Sequence, residues 1–265
     1  MPLFQLILVA IIQGITEFLP VSSSGHLILL PNLTGLEDQG QVIDVAVHLG
    51  TLGAVIIFFR RDVGLALAGV MDLTCGHRDT PGARLALGLI LATVPVVVAG
   101  AALHLSGLDQ AMRSTAVIGW AMLIFGLVLY WADQRGPVRK TEWSLRDAAI
   151  MGLWQVLSLI PGTSRSGITI TGGRQLGYDR ETAARLAMLM SIPTIIASGA
   201  LLGTDVAVKA DLQIVRDGVI AAALAFLSAL VALSLMMRLL RSVSFTPYVI
   251  YRVILGVILL AIAYG

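Results

Sequence analysis

Gln13-Gly-Ile-Thr-Glu-Phe-Leu-Pro-Val-Ser-Ser-Ser-Gly-His26 closes an otherwise apolar run with a carboxylate, a proline and three serines. The run, Leu3–Leu19, also carries Gln5 and Thr16, and it breaks at Pro20. A second unusual run, Ala148–Ile160, has 13 residues and breaks at Pro161-Gly-Thr-Ser-Arg-Ser-Gly167. Thirteen helical residues do not cross a hydrocarbon core about 30 Å thick. A helix interrupted by polar residues at membrane depth persists only when it is buried in protein or lines a wet cavity. Both segments are therefore expected to be re-entrant hairpins rather than spans followed by ordinary loops.

Working outward, six further runs are long enough to span: Val42–Phe59, Leu85–Leu105, Ser114–Ala132, Ala183–Gly203, Val219–Met237 and Tyr248–Tyr264. The chain has 265 residues, 57% hydrophobic and 13% charged, against about 25% charged in an average soluble domain. A mean hydropathy of +0.89 excludes one soluble core with a polar skin. Continuous rather than alternating apolar stretches exclude a β-barrel. Pro20 and Pro161 stand 141 residues apart, about half the chain, and three spans follow each break. The expected architecture is an all-α integral membrane protein of six transmembrane helices plus two re-entrant helical hairpins. It forms one membrane domain, with residues 1–132 and 133–265 as the two halves of an inverted repeat.

The bases test this plan. It makes 60–84, 133–147, 172–185 and 238–246 inside loops, which hold 13 bases, among them Arg135, Arg139 and Lys140. The outside loops hold three: Arg113, Lys209 and Arg216. Eight full spans would divide the bases 10 to 7. The positive-inside rule prefers the hairpins, with both termini outside and the two tips meeting near the midplane. A net charge of +2, with bases scattered through short loops, gives no nucleic-acid footprint. Met1-Pro2-Leu3-Phe4 lacks a basic segment, so no removable signal peptide is expected. Cys75 allows no internal disulfide and is read as an incidental small residue.

Gln13 and Glu17 share a helix face, and a carboxylate at membrane depth marks a functional site by default. Ser22, Ser23, Ser24 and His26 follow it closely, which makes an acid/base and nucleophile set. In the second break, Gly162, Thr163, Ser164, Arg165, Ser166 and Gly167, with Thr169 beyond, suit an anion: amides at a helix start and a forked guanidinium fit phosphate oxygens. Two classes fit this set, an enzyme acting on a membrane-embedded phosphate ester or anhydride and a secondary transporter or flippase of an anionic substrate. His48 and His104, near span ends, are read as packing or interfacial residues, and His77 as a solvated one. Arg252 is expected to snorkel to the interface. Trp120, Tyr130 and Trp131 are expected to be interfacial anchors. Gly199-Ala-Leu-Leu-Gly203 has a spacing that lets helices approach closely, within the chain or in a homodimer.

The segment Gln13–His26 and the segment Pro161–Thr169 together resemble the two signatures of the bacterial undecaprenyl-diphosphate phosphatases, the bacitracin-resistance family. That resemblance implies removal of the terminal phosphate of undecaprenyl diphosphate, which regenerates the carrier lipid for cell-wall synthesis. It implies a polyprenyl diphosphate and membrane lipids as partners, a site facing the periplasm of the bacterial inner membrane, and a divalent cation, Mg²⁺ or Ca²⁺. Glu17, Ser23, His26, Ser164, Arg165, Ser166 and Thr169 take the family's functional places. Glu17 is the implied metal residue, and Gln13 puts an amide where a second ligand would stand. On this reading Arg165 and the amides of 163–167 hold the diphosphate. Ser23, or a water in its place, attacks, and His26 or Glu17 takes the proton.

Overall fold

The computed structural model describes residues 1–35, 37–108, 112–134, 140–209 and 212–265, with the side chains of all these except 32, 33 and 202–209. Arg135, Arg139 and the Lys209 side chain, three of the counted bases, lie outside the described residues, as do the surroundings of Gly203. Every regular element among the described residues is helical. The first helix, α1 (Leu3–Thr16), leads through a turn into α2 (Ser23–Thr34). Then come α3 (Gly40–Phe58), α4 (Arg60–Thr74), α5 (Pro81–Ser106) and α6 (Thr115–Gln134). The second half runs α7 (Leu145–Val156), a 3₁₀ turn at Leu157–Leu159, α8 (Arg165–Leu176), α9 (Arg180–Lys209), α10 (Leu212–Leu239) and α11 (Thr246–Tyr264). Six of these, α3, α5, α6, α9, α10 and α11, are long and apolar enough to cross a membrane, which makes this a multi-pass membrane protein.

The two short helix pairs break where the sequence breaks, and each restarts on a serine. Ser22 caps α2 by accepting from the Gly25 amide at 3.3 Å, and Ser164 caps α8 by accepting from the Gly167 amide at 3.1 Å. Both serines sit at positive φ, 72° and 70°, a backbone region that side chains other than glycine rarely adopt. Each first helix of a pair packs on a long helix of the other half, α1 on α10 and α7 on α5. Glycine allows both contacts: a Cβ on Gly14 would lie 2.7 Å from the Ala225 carbonyl oxygen, and one on Gly152 would lie 2.6 Å from that of Ala92. The spans complete the packing through α3 on α10, α6 on α11 and α9 on α3 and α5.

The loops sort to two ends, as the base count predicts. At one end a buried Asp133 accepts from Arg174 Nε at 3.1 Å, from Arg180 Nε at 2.8 Å and from the Phe245 amide at 3.2 Å. Lys140 and Tyr178 both bond Asp147, at 2.6 and 2.7 Å, and Arg185 pairs with Asp62. All four predicted inside loops thus meet. At the other end the amino terminus pairs with Asp217 at 3.1 Å, Gln5 donates to the Glu37 carbonyl at 2.6 Å, and Arg113 shares a cavity with Asp38 and Asp44.

Two expectations change. Residues 60–74, expected as loop, form α4, which lies on α5 where Gly69 meets Gly82 backbone to backbone. The pair Arg60-Arg61 ends the hydropathy signal of α3 but does not end helix formation, because both are good helix formers. Among the described residues nothing lies within 4 Å of a Cβ built on Gly199, so that glycine makes no close helix approach to them. Trp120, Tyr130 and Trp131 are exposed, as expected of anchors.

Candidate active site

The turns after α1 and before α8 face each other, and Glu17 stands between them. It is buried, and its Oε1 accepts from Arg165 Nη2 at 2.5 Å across 148 residues of chain. Its Oε2 accepts from Ser23 Oγ at 2.6 Å and from Gln13 Nε2 at 2.9 Å. Four helical residues separate Gln13 from Glu17, so this last contact follows from helix geometry. The contact with Arg165 follows only from folding. A buried carboxylate and guanidinium are stable together, whereas removing one strands the other at a cost of about 3–5 kcal/mol.

The second tip is tied to the first at two further points. Ser166 Oγ donates to the Leu19 carbonyl at 2.9 Å. Its single proton is spent there, so in the 3.0 Å contact between Ser164 and Ser166 the Ser164 hydroxyl is the donor. Arg252 supplies the other tie, and here the expectation of snorkelling is overturned. Its side chain is fully buried, and Nη2 donates to the Thr163 carbonyl at 2.8 Å and to that of Gly162 at 3.1 Å. It also reaches the Pro20 and Ala121 carbonyls at 3.4 and 3.3 Å. Arginine snorkels when its head can reach water, but turn carbonyls without helical partners offered it a buried alternative. Sequence carried one signal for this, a lone cation within an apolar span.

The remaining predicted residues divide. His26 does not bond Glu17 or Ser23. Its Nδ1 donates to the Ser22 carbonyl at 2.6 Å, so Nε2 is the ring's acceptor and takes the Tyr251 hydroxyl at 2.5 Å. The two rings stack, 5.7 Å between centroids. Thr169 is buried in α8, its hydroxyl donating to the Arg165 carbonyl at 2.7 Å. His48, read from sequence as a packing or interfacial residue, lies with Nε2 3.7 Å from Glu17 Oε2 and lines a cavity of about 450 Å³. Neither Tyr251 nor His48 lies in a motif, which is why sequence reasoning passed over both.

Four buried polar atoms in the site have no partner among the described residues: Arg165 Nη1, Gln13 Oε1, Thr163 Oγ1 and Arg252 Nε. Buried polar groups are rarely left so, and an unpartnered guanidinium nitrogen on the first residue of α8 is of the kind that fits an oxyanion. Gln13 Oε1 and the Glu17 carboxylate are oxygens of the kind Mg²⁺ and Ca²⁺ take. Among the described residues no group of three His, Cys, Asp or Glu side chains could hold a metal unaided. The donor set therefore fits a cation whose other ligands are substrate oxygens and water.

Residues 6–258 match the family model described as Bacitracin resistance protein BacA. The chain is 72% identical, over the full length of both, to a protein of Ruegeria pomeroyi named undecaprenyl-diphosphatase. It is 71% identical to one of the same name from Dinoroseobacter shibae and 44% identical to an undecaprenyl-diphosphatase 2 of Stutzerimonas stutzeri, again over both full lengths.

Proposed function

The chain belongs to the bacitracin resistance protein BacA family, and from that premise we propose how its geometry removes the terminal phosphate of undecaprenyl diphosphate. It is a membrane phosphatase acting on a polyprenyl diphosphate lipid. The observation that carries the mechanism is the shared carboxylate: Ser23 of one tip and Arg165 of the other donate to opposite oxygens of Glu17.

Arg165 Nη1 and the first amides of α8 hold the diphosphate and stabilise charge on the transferring phosphoryl group. Ser23 Oγ attacks the terminal phosphorus and gives its proton to Glu17 Oε2, already 2.6 Å away. The bond from phosphorus to the bridging oxygen breaks, and polyprenyl phosphate leaves with the electron pair. Water then attacks the phosphoserine, the phosphorus–Oγ bond breaks, Glu17 returns its proton to Ser23 Oγ, and inorganic phosphate departs carrying the protons of the water. Ser164, Ser166 and Thr169 have hydroxyls committed within the tips, so they shape the cradle. His26, held by Ser22 and Tyr251, fixes the first tip rather than taking the proton. Gln13 and Glu17 would hold Mg²⁺ or Ca²⁺, which supplies charge neutralisation on the phosphate oxygens when bound.

The two broken helix pairs are re-entrant hairpins of an inverted repeat, with halves at 1–132 and 133–265. The matched serine caps and the exchanged packing of α1 and α7 support this reading. The end carrying Lys140, Arg174, Arg180, Arg185 and Arg241 faces the cytoplasm, so the site opens to the periplasm and both termini lie there.

Purified protein in detergent tests the mechanism. Wild type should release inorganic phosphate from undecaprenyl diphosphate, and Glu17→Ala and Arg165→Ala should lose it. A quenched reaction should trap phosphate on Ser23. Full activity in Ser23→Ala removes the covalent route and leaves water as the nucleophile.

A further inference from the structure

The polar cavity beside Glu17 does not end in polar residues. It is lined by Asp38, Asp44, His48, His104 and Arg113, and its wall toward α9 is made by Ile195, Ser198 and Gly199. Ser198 also lines a second cavity, of about 300 Å³, between the outer halves of α5 and α9. That one is apolar: Val97, Gly100, Leu159, Ala197 and Leu201 form it. Leu159 belongs to the 3₁₀ turn just ahead of the second tip, so the groove abuts the tip that carries Arg165.

We propose that this α5–α9 groove seats the isoprene units nearest the diphosphate of the lipid substrate. The proposal rests on the polyprenyl diphosphate reading above and adds where the tail goes. Such a lipid joins a multiply charged head to an apolar chain, so its seat needs a polar cavity that passes directly into an apolar one. Here Ser198 lines both cavities, and His48 of the polar one stands 3.7 Å from Glu17. Val97 and Leu201 are 40% and 47% exposed on the membrane-facing side. The groove therefore opens laterally, and the rest of a long tail continues into hydrocarbon without further protein contact. Gly100 keeps it deep: a Cβ there would meet Leu159 Cδ2 at 3.4 Å, so a methyl fits and a larger side chain fills the space. A larger apolar groove, about 540 Å³, runs between α1 and α10 past Leu19 and Tyr248. It reaches the first tip at Leu19 but shares no lining residue with the polar cavity and extends toward the basic end, which makes it the rival seat for the tail.

Three variants and one probe decide between the grooves. Gly100→Leu and Ala197→Trp should raise KM for undecaprenyl diphosphate about tenfold with kcat retained, as lost apolar burial predicts. Val231→Trp, in the α1–α10 groove, should leave KM within twofold of wild type. A polyprenyl monophosphate carrying a photoreactive group on its first isoprene units should cross-link within 96–101 or 194–201, whether or not catalysis occurs. Cross-links confined to 227–239, a KM that moves only in Val231→Trp, or an unchanged KM in both groove variants overturns the proposal. Failure of wild type to release phosphate from undecaprenyl diphosphate would strike the activity instead, and the cross-link would still report on the groove.

Discussion

Ser22-Ser23-Ser24-Gly25-His26 and Ser164-Arg165-Ser166-Gly167-Ile168 are one backbone device used twice. In each, the first serine has φ near 70°, caps the next helix through the glycine amide and contacts the serine two places on, at 3.4 and 3.0 Å. The two differ at the second and fifth places. Ser23 answers to Arg165, and these two side chains grip the same carboxylate from opposite sides. His26 answers to Ile168: the first reaches Tyr251, the second is buried. The setting also differs, since Ser166–Arg174 is buried throughout, whereas Ser24 in the first tip is exposed. On the proposed mechanism, the difference at these two positions divides nucleophile from anion binder.

If the division is real, losing the guanidinium should hurt more than losing any hydroxyl of its own tip. Arg165→Ala is expected to lower kcat about 10²–10³-fold, the usual effect of removing one donor to developing charge. Arg165→Lys should recover little, because an ammonium lacks the fork that spans Glu17 and substrate. Phosphate release assays on both would break the comparison if lysine restored activity. Next comes the tie between tips. Arg252→Met strips donors from the Pro20, Gly162 and Thr163 carbonyls, and at about 1 kcal/mol each should cost about 3 kcal/mol of stability. A thermal melt in detergent measures it, and an unchanged midpoint would show that the Glu17–Arg165 pair and the Ser166–Leu19 bond join the tips without Arg252.

The shared turn gives a smaller and sharper test. Ser22→Ala and Ser164→Ala should each cost about 1 kcal/mol, while the glycine replacements should cost only a few tenths, because glycine accepts the positive φ. Melting midpoints that fall in one tip and not in the other would show the two caps to be unequal. The smallest effect concerns how each helix pair is closed at its far end. Gln5 closes the first through the Glu37 carbonyl, a bond without a titrating acceptor, whereas Tyr178 closes the second on Asp147. Burial works to raise the Asp147 carboxyl, but hydrogen bonds from Lys140 and Tyr178 outweigh it and hold it below the usual range. Burial and the same carboxylate push the Tyr178 phenol up, so it stays a donor. A carboxyl depressed in the folded state contributes stability above its ordinary value near pH 4 and loses it as pH falls further. Acid melts should therefore show a falling limb below about pH 4 that Asp147→Asn flattens.

Much of this was legible along the chain. Hydropathy alone placed six spans, because a membrane-crossing helix must be continuously apolar over its length. Prolines and serines marked both breaks, because backbone geometry there is local. Base counting sorted the loops into two ends, since each loop carries its own charges. α4 escaped because its two leading arginines hid a helix that hydropathy does not need to detect. Pairing was beyond reach. Nothing within a few residues of Glu17 says that Arg165 will meet it, that Arg252 will turn inward to four carbonyls, or that His48 will look onto the same carboxylate. Local sequence sets what each segment is. Which segments touch is set by close packing of helices remote in the chain, where glycines such as Gly14 and Gly152 let backbones meet.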